Sequence, residues 1–104
     1  DDYEVDFFPE GGYVIEDVNN RVAFKVLQSN GLSTEMEGEI VDFENNWVCD
    51  IETVHNGMGM FEFIPEKGKK YYAICITKEG IEKRFALPET INTIPGLTTE
   101  WTND

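Results

Sequence analysis

Positive charge is scarce in this sequence. Eight lysines and arginines stand against 21 aspartates and glutamates, a formal net charge of −13. Binding to phosphate backbones or anionic lipid headgroups needs clustered Lys and Arg to displace counterions, so nucleic acid is not an expected partner. The acidity reads first as a solubility device and second as a docking face for a basic partner or a cation. Long apolar runs are also missing. Nothing approaches the roughly 20 consecutive apolar residues of a membrane-spanning helix, so direct membrane insertion is not expected. The chain opens on Asp1 without a basic and apolar signal segment. We therefore expect a mature product or a segment of a longer chain.

Histidine and cysteine are nearly absent, and this narrows the chemistry. A nucleophile needs a base within hydrogen-bond reach, and the one histidine, His55, lies in a turn signal. No Gly-rich phosphate loop, HExxH or GxSxG is present, so no enzyme activity and no catalytic residues are expected. Two cysteines, Cys49 and Cys75, allow at most one internal disulfide. Alternation turns both inward, where they read as buried free thiols in preference to a bridge between sheets.

What is present is a two-residue period. In "NRVAFKVLQS" Val22, Phe24 and Val26 alternate with Arg21, Ala23 and Lys25, as in a half-buried strand. In "EMEGEIVDF" Met36, Gly38 and Ile40 alternate with Glu35, Glu37 and Glu39, which places three carboxylates on a solvent face. The pattern continues in "YEVDFF", "WVCDIETV", "MGMFEF", "KYYAICIT" and "IEKRFAL", so seven strands are expected. Turn signals stand between them: "PEGG", "SNG", "ENN", "HNG", "PEKGK" and "KEG", rich in residues that tolerate positive φ. No segment carries a capped helical stripe. Seven short strands in about 100 residues spell an all-β, antiparallel, immunoglobulin or fibronectin III-like sandwich, with a closed barrel as the alternative. After Leu87 the alternation stops, and residues 89–104 read as an extended tail or linker. Tyr71 or Tyr72 is placed to hydrogen-bond back across a sandwich corner.

"VHNGMGMFEF" gathers His55, Met58 and Met60, with Cys49 upstream, a set that suits a soft metal. However, Asn56–Gly57 between alternating runs is a tight-hairpin signal, and Met58 and Met60 lie on the strand face opposite Gly59 and Phe61. The turn is the preferred reading. "DFENNWVCDIET" lacks the Gly and Glu positions of a helix-loop-helix calcium site. Glu16, Asp17 and Asn20 read as solvated turn residues before they read as cation ligands. No metal and no cofactor is expected.

The segments "VDFFPEGGYVIEDVNNRVAFKVLQSNG", "EGEIVD", "VHNGMGMFEFIPEKGKKYYA" and "RFALP" together resemble the macroglobulin-like domains of bacterial alpha-2-macroglobulin-related proteins. Similar modules precede plug domains in some TonB-linked outer-membrane proteins. The resemblance covers roughly residues 5–88. It implies a seven-stranded sandwich over residues 1–88, one bead among neighbouring domains of the same polypeptide, in a periplasmic, outer-membrane-associated or extracellular protein. In that family such beads form a cage around proteases, and the covalent chemistry belongs to a Cys-Gly-Glu-Gln thioester that this sequence lacks. Gly11, Gly12, Gly57 and Gly59 then read as turn and packing positions, beside His55 and Asn56. Trp47 stands where the family usually has a small or polar residue. It reads as a partly buried edge tryptophan, or with Tyr13 and Trp101 as a contact surface for a neighbouring domain or a ligand.

Overall fold

A computed structural model describes residues 2–92. All seven expected strands form, and two strands of two residues join them: β1 (Tyr3–Pro9), β2 (Val14–Ile15), β3 (Asn20–Gln28), β4 (Met36–Asp42), β5 (Trp47–Glu52), β6 (Met58–Phe63), β7 (Tyr71–Thr77), β8 (Glu82–Ala86) and β9 (Thr90–Ile91). The order β1-β3-β6 makes a three-stranded sheet and β5-β4-β7-β8 a four-stranded one, both antiparallel. Packed face to face, they make an all-β sandwich. No helix of the described residues is long and apolar enough to cross a membrane.

Alternation delivers the core. Val5, Val22, Phe24, Val26, Phe61 and Phe63 come from the inner face of one sheet, and Met36, Ile40, Ile51, Tyr71, Ala73 and Cys75 from the other. A train of rings joins the two layers. Phe24 and Phe61 lie 6.2 Å apart between centroids, Phe61 and Phe63 5.7 Å, and Phe63 meets Tyr71 edge-on at 5.2 Å, within the favourable range for aromatic pairs. Of the two candidate corner tyrosines, Tyr71 takes the role. Its hydroxyl accepts the Glu66 amide N–H at 2.9 Å.

The six turn signals all mark turns, and every one contains a residue at positive φ, from Gly11 and Gly12 to Gly80. The Asn56–Gly57 turn has φ 53° and 74°, the pair of positive values of a two-residue type I′ turn. The Met58 N–H donates to the His55 carbonyl at 2.9 Å. Yet the expected hairpin stops at one bridge, His55 with Met58. Beyond it β5 stays in the four-stranded sheet, while β6 crosses over and pairs with β3, Phe61 opposite Val22.

Two elements escape the period-two reading. The segment after Leu87 does not leave the sandwich at once. Thr90 and Ile91 pair in parallel with Val14 and Ile15, and the Glu16 N–H donates to the Ile91 carbonyl at 2.9 Å. A strand of two residues is too short to display a period. The loop before β3 is held by Asn20, 7% exposed. Its side chain accepts the Ile15 N–H at 2.9 Å and donates to the carbonyls of Ile15 and Val18 at 2.7 and 2.8 Å.

Tyr3 staples the sheets along the β1/β8 edge. Its hydroxyl donates toward the carbonyls of Ile81 at 2.9 Å and Cys75 at 3.2 Å. Its ring meets Phe85 edge-on at 5.7 Å, and the Lys83 ammonium sits 5.5 Å from both ring centroids. Burial pushes the Tyr3 phenol up to about 12. Between pH 10 and 12 the unfolded chain thus releases the tyrosine proton first, so this contribution to stability is complete below pH 10 and lost as pH rises through 12. The Cys49 and Cys75 thiols, pushed by burial to about 11 and about 12, act in the same direction above their ordinary value of 9.0. Tyr3→Phe is expected to cost about 1–3 kcal/mol at neutral pH, because the buried Cys75 carbonyl and the part-buried Ile81 carbonyl lose the hydroxyl they share, and to flatten the alkaline decline above pH 10. Urea denaturation across that range checks both. An unchanged slope would show that the phenol titrates freely.

Candidate interaction surface

The outer face of the four-stranded sheet is built by register. Glu37 lies opposite Glu52 and Glu39 opposite Asp50 across β4 and β5. On the other side of β4, Glu37 faces Ile76 and Glu39 faces Ile74. Next come Glu82 opposite Ile76 and Arg84 opposite Ile74 on β8. The result is a two-by-two block of exposed carboxylates beside a half-buried isoleucine ledge. A groove of about 640 Å³ runs between them, with Gly38, Ile51 and Cys75 contributing to its lining.

Like charges directly opposite on antiparallel strands destabilise a sheet. Among the described residues no Lys or Arg forms an ion pair with Glu37, Glu39, Asp50, Glu52 or Glu82. Two cations border this face without pairing with the block: Lys78, two residues past Ile76, lines an adjoining groove with Glu35, Glu37 and Glu52, and Arg84 is turned aside. Arg84 lies 4.2 Å over the Tyr72 ring and donates to the Asn45 side-chain oxygen at 2.9 Å.

Trp47 stands at the end of this block. Strict alternation would put it inside with Cys49 and Ile51, but the β4/β5 register shifts between Ile40, opposite Cys49, and Val41, opposite Trp47. Val48 is the extra residue of that bulge, and one extra residue moves a side chain to the other face. The partly buried tryptophan expected from the sequence is instead 61% exposed. Its indole N–H donates to the Asp50 carboxylate at 2.8 Å. The turn leading into it is tied by Asp42, 3% exposed, which accepts the Glu44 and Asn46 amides at 2.9 Å each and the Asn46 side chain at 3.2 Å. Burial pushes the Asp42 pKa up, but the Asn46 and Glu44 hydrogen bonds and the Lys69 ammonium outweigh it, so the carboxyl stays below its ordinary value.

The remaining expected positions fall elsewhere. Tyr13 is 39% exposed and immediately precedes β2, whereas Trp47 opens β5. Trp101 lies outside the described residues. His55 and Asn56 are exposed in the turn, and Gly57 is buried beneath it. Gly11 and Gly12 close the 3₁₀ turn after β1 in open space, whereas a Cβ at Gly59 would overlap the Phe24 ring and the Glu52 carbonyl. The soft-metal set is divided. Met58 and Met60 point outward from the three-stranded sheet, 43% and 51% exposed, while Cys49 packs against the core from the other sheet. Cys49 and Cys75 are both free thiols, on strands separated by β4. Nor does the Glu16, Asp17, Asn20 trio offer a cation three donors, since the Asn20 oxygen is already engaged by the Ile15 N–H. Among the described residues no three His, Cys, Asp or Glu side chains gather around a point where an ion would sit.

The outer face of the other sheet differs in kind. Phe8 pairs with Ala23 and Ala23 with Met60, an apolar row across all three strands in which Phe8 is 55% exposed. Met58 extends it beside Lys25 and Asp6.

The chain is an antiparallel β-sandwich with one acidic outer face and one on which an apolar row runs between charged residues, the Arg21–Glu62 pair on one side and Asp6 with Lys25 on the other. It matches no protein-family model and no curated protein sequence.

Proposed function

We propose that this chain is a non-enzymatic structural and interaction module of a larger cell-envelope protein of alpha-2-macroglobulin type, part of a protease-inhibitor scaffold. It works by stacking on neighbouring domains of the same polypeptide, outside the cytoplasm. The sandwich architecture and the macroglobulin-like segments support this reading, and the apolar row Phe8–Ala23–Met60 carries it. Three exposed apolar side chains in register across a sheet are costly to leave in water and mark a surface made for covering.

The test places a photoreactive amino acid at position 8, and separately at position 60, in the parent polypeptide. Crosslinks from both positions to residues of the same polypeptide are expected. Recovery of none, or of other proteins alone, overturns the reading. In the isolated chain Phe8→Ser is expected to shift stability by no more than about 0.5 kcal/mol, because the described residues leave more than half of that residue in water.

A second reading has one specific observation in its favour, the 61% exposure of Trp47. It makes the chain a glycan- or cation-binding module of a TonB-linked surface nutrient-uptake or adhesion protein. Saturable quenching of tryptophan fluorescence by an oligosaccharide, abolished in Trp47→Ala, would support it over the first.

A further inference from the structure

We propose that the outer face of β5-β4-β7-β8 docks an extended cationic segment of a protein partner, with Lys or Arg at every second position and aliphatic residues between. This surface is opposite the one invoked above, and the proposal stands whatever covers Phe8 and Met60.

Three observations choose this occupant. First, Glu37 with Glu52 and Glu39 with Asp50 are held face to face by register, with no Lys or Arg ion-paired to them among the described residues. Facing side chains lie roughly 5 Å apart at Cβ, so the sheet accepts a repulsion that a bound positive charge removes. Secondly, the carboxylates point the same way in a row and do not converge on a centre, the geometry for a line of ammonium or guanidinium groups and not for a single metal ion. Along each strand they recur every second residue, a spacing of roughly 7 Å that a second extended chain reproduces. Thirdly, the ledge of Ile74 and Ile76 borders the block along its whole length. It gives aliphatic side chains a place to bury while their cationic neighbours meet the acids. Trp47, ring exposed at the end of the row, offers a π-face to one more cation.

The probe is the synthetic peptide acetyl-Lys-Val-Lys-Val-Lys-Val-Lys-amide, titrated calorimetrically into the 104-residue chain at about 50 mM and about 500 mM NaCl, with the Glu-for-Lys peptide as its counterpart. Saturable binding of the lysine peptide at low salt is expected, weakening about tenfold or more at high salt, with none for the glutamate peptide. The variant E37Q/E39Q/D50N/E52Q is expected to lose about tenfold or more in affinity and to melt higher than the parent, because the cross-strand repulsion is gone. A control with the same charge change elsewhere, E4Q/E10Q/E79Q/E89Q, is expected to bind within about twofold of the parent. Equal loss in the control would mean a generic polyanion effect and overturn the proposal. So would the absence of lysine-peptide binding, or a stoichiometric heat with calcium chloride that the quadruple variant abolishes.

Discussion

Gly38→Ala is expected to lower the melting temperature by about 15 °C, a loss of about 3 kcal/mol in a domain of this size. β4 is a central strand, with Gly38 opposite Ile51 on one side and Cys75 on the other. A Cβ there would overlap the carbonyl oxygen of Ile74 and approach the Cys75 Cα to 3.0 Å. Both atoms are backbone of a strand held in a ladder, so no side-chain rotation relieves the clash. Domains of this kind are stable by only about 5–15 kcal/mol, so the loss is a large share of the total. Gly80→Ala is the comparison. That residue has φ 91° but meets nothing within 4 Å, so only the conformational strain, about 1 kcal/mol, is expected. Calorimetric melting of the two variants separates them. Equal shifts would mean that the sheet around Gly38 relaxes.

Gly57→Ala is expected to cost about 2–4 kcal/mol by chemical denaturation. Two penalties combine: φ is 74°, and the new Cβ would lie 2.8 Å from both the Val26 carbonyl oxygen and the Ser33 Cβ. The same residue's carbonyl accepts the Val26 N–H at 2.8 Å, continuing the β3/β6 ladder into the turn, so it has little room to shift. Asn56→Ala, with φ 53° but an exposed side chain, should cost only about 1 kcal/mol. His55→Ala should fall within about 0.5 kcal/mol of the parent, since histidine contributes its backbone to the turn and leaves its ring in water. If His55→Ala proved the costliest of the three, the turn would depend on the imidazole.

These residues also mark how far the sequence can be read. The alternation of Val22, Phe24 and Val26, or of Tyr71, Ala73 and Cys75, identified the inner faces correctly, because period two is a property of one extended strand. Asn56–Gly57 was legible as a turn because positive φ is a local steric matter. The hairpin drawn from the same dipeptide failed because partner choice is not local. β6 finds β3, where Phe61 and Phe63 complete a ring train with Phe24 and Tyr71. Trp47 was misplaced for a related reason. A bulge exists only between two strands, so the Val48 insertion that moves the indole outward has no trace in the pattern of β5 by itself. Tyr3 and Asn20 likewise take their roles from acceptors that only the fold supplies.

The interaction surface divides along the same line. That Glu37 and Glu39 face solvent was written in their alternation with Gly38 and Ile40. That they confront Glu52 and Asp50, with Ile74 and Ile76 behind them, was decided by the register of three strands. The sequence alone thus determined the β class, the seven long strands, the burial of each face and the sites of the turns, all of which follow from steric and hydration preferences of near neighbours. Tertiary structure decided the strand order, the short parallel pair β2/β9, the exposure of Trp47 and the pairing of like charges. Each of these requires segments distant in the chain to meet, and which meeting wins depends on the apolar area that the whole sandwich buries at once.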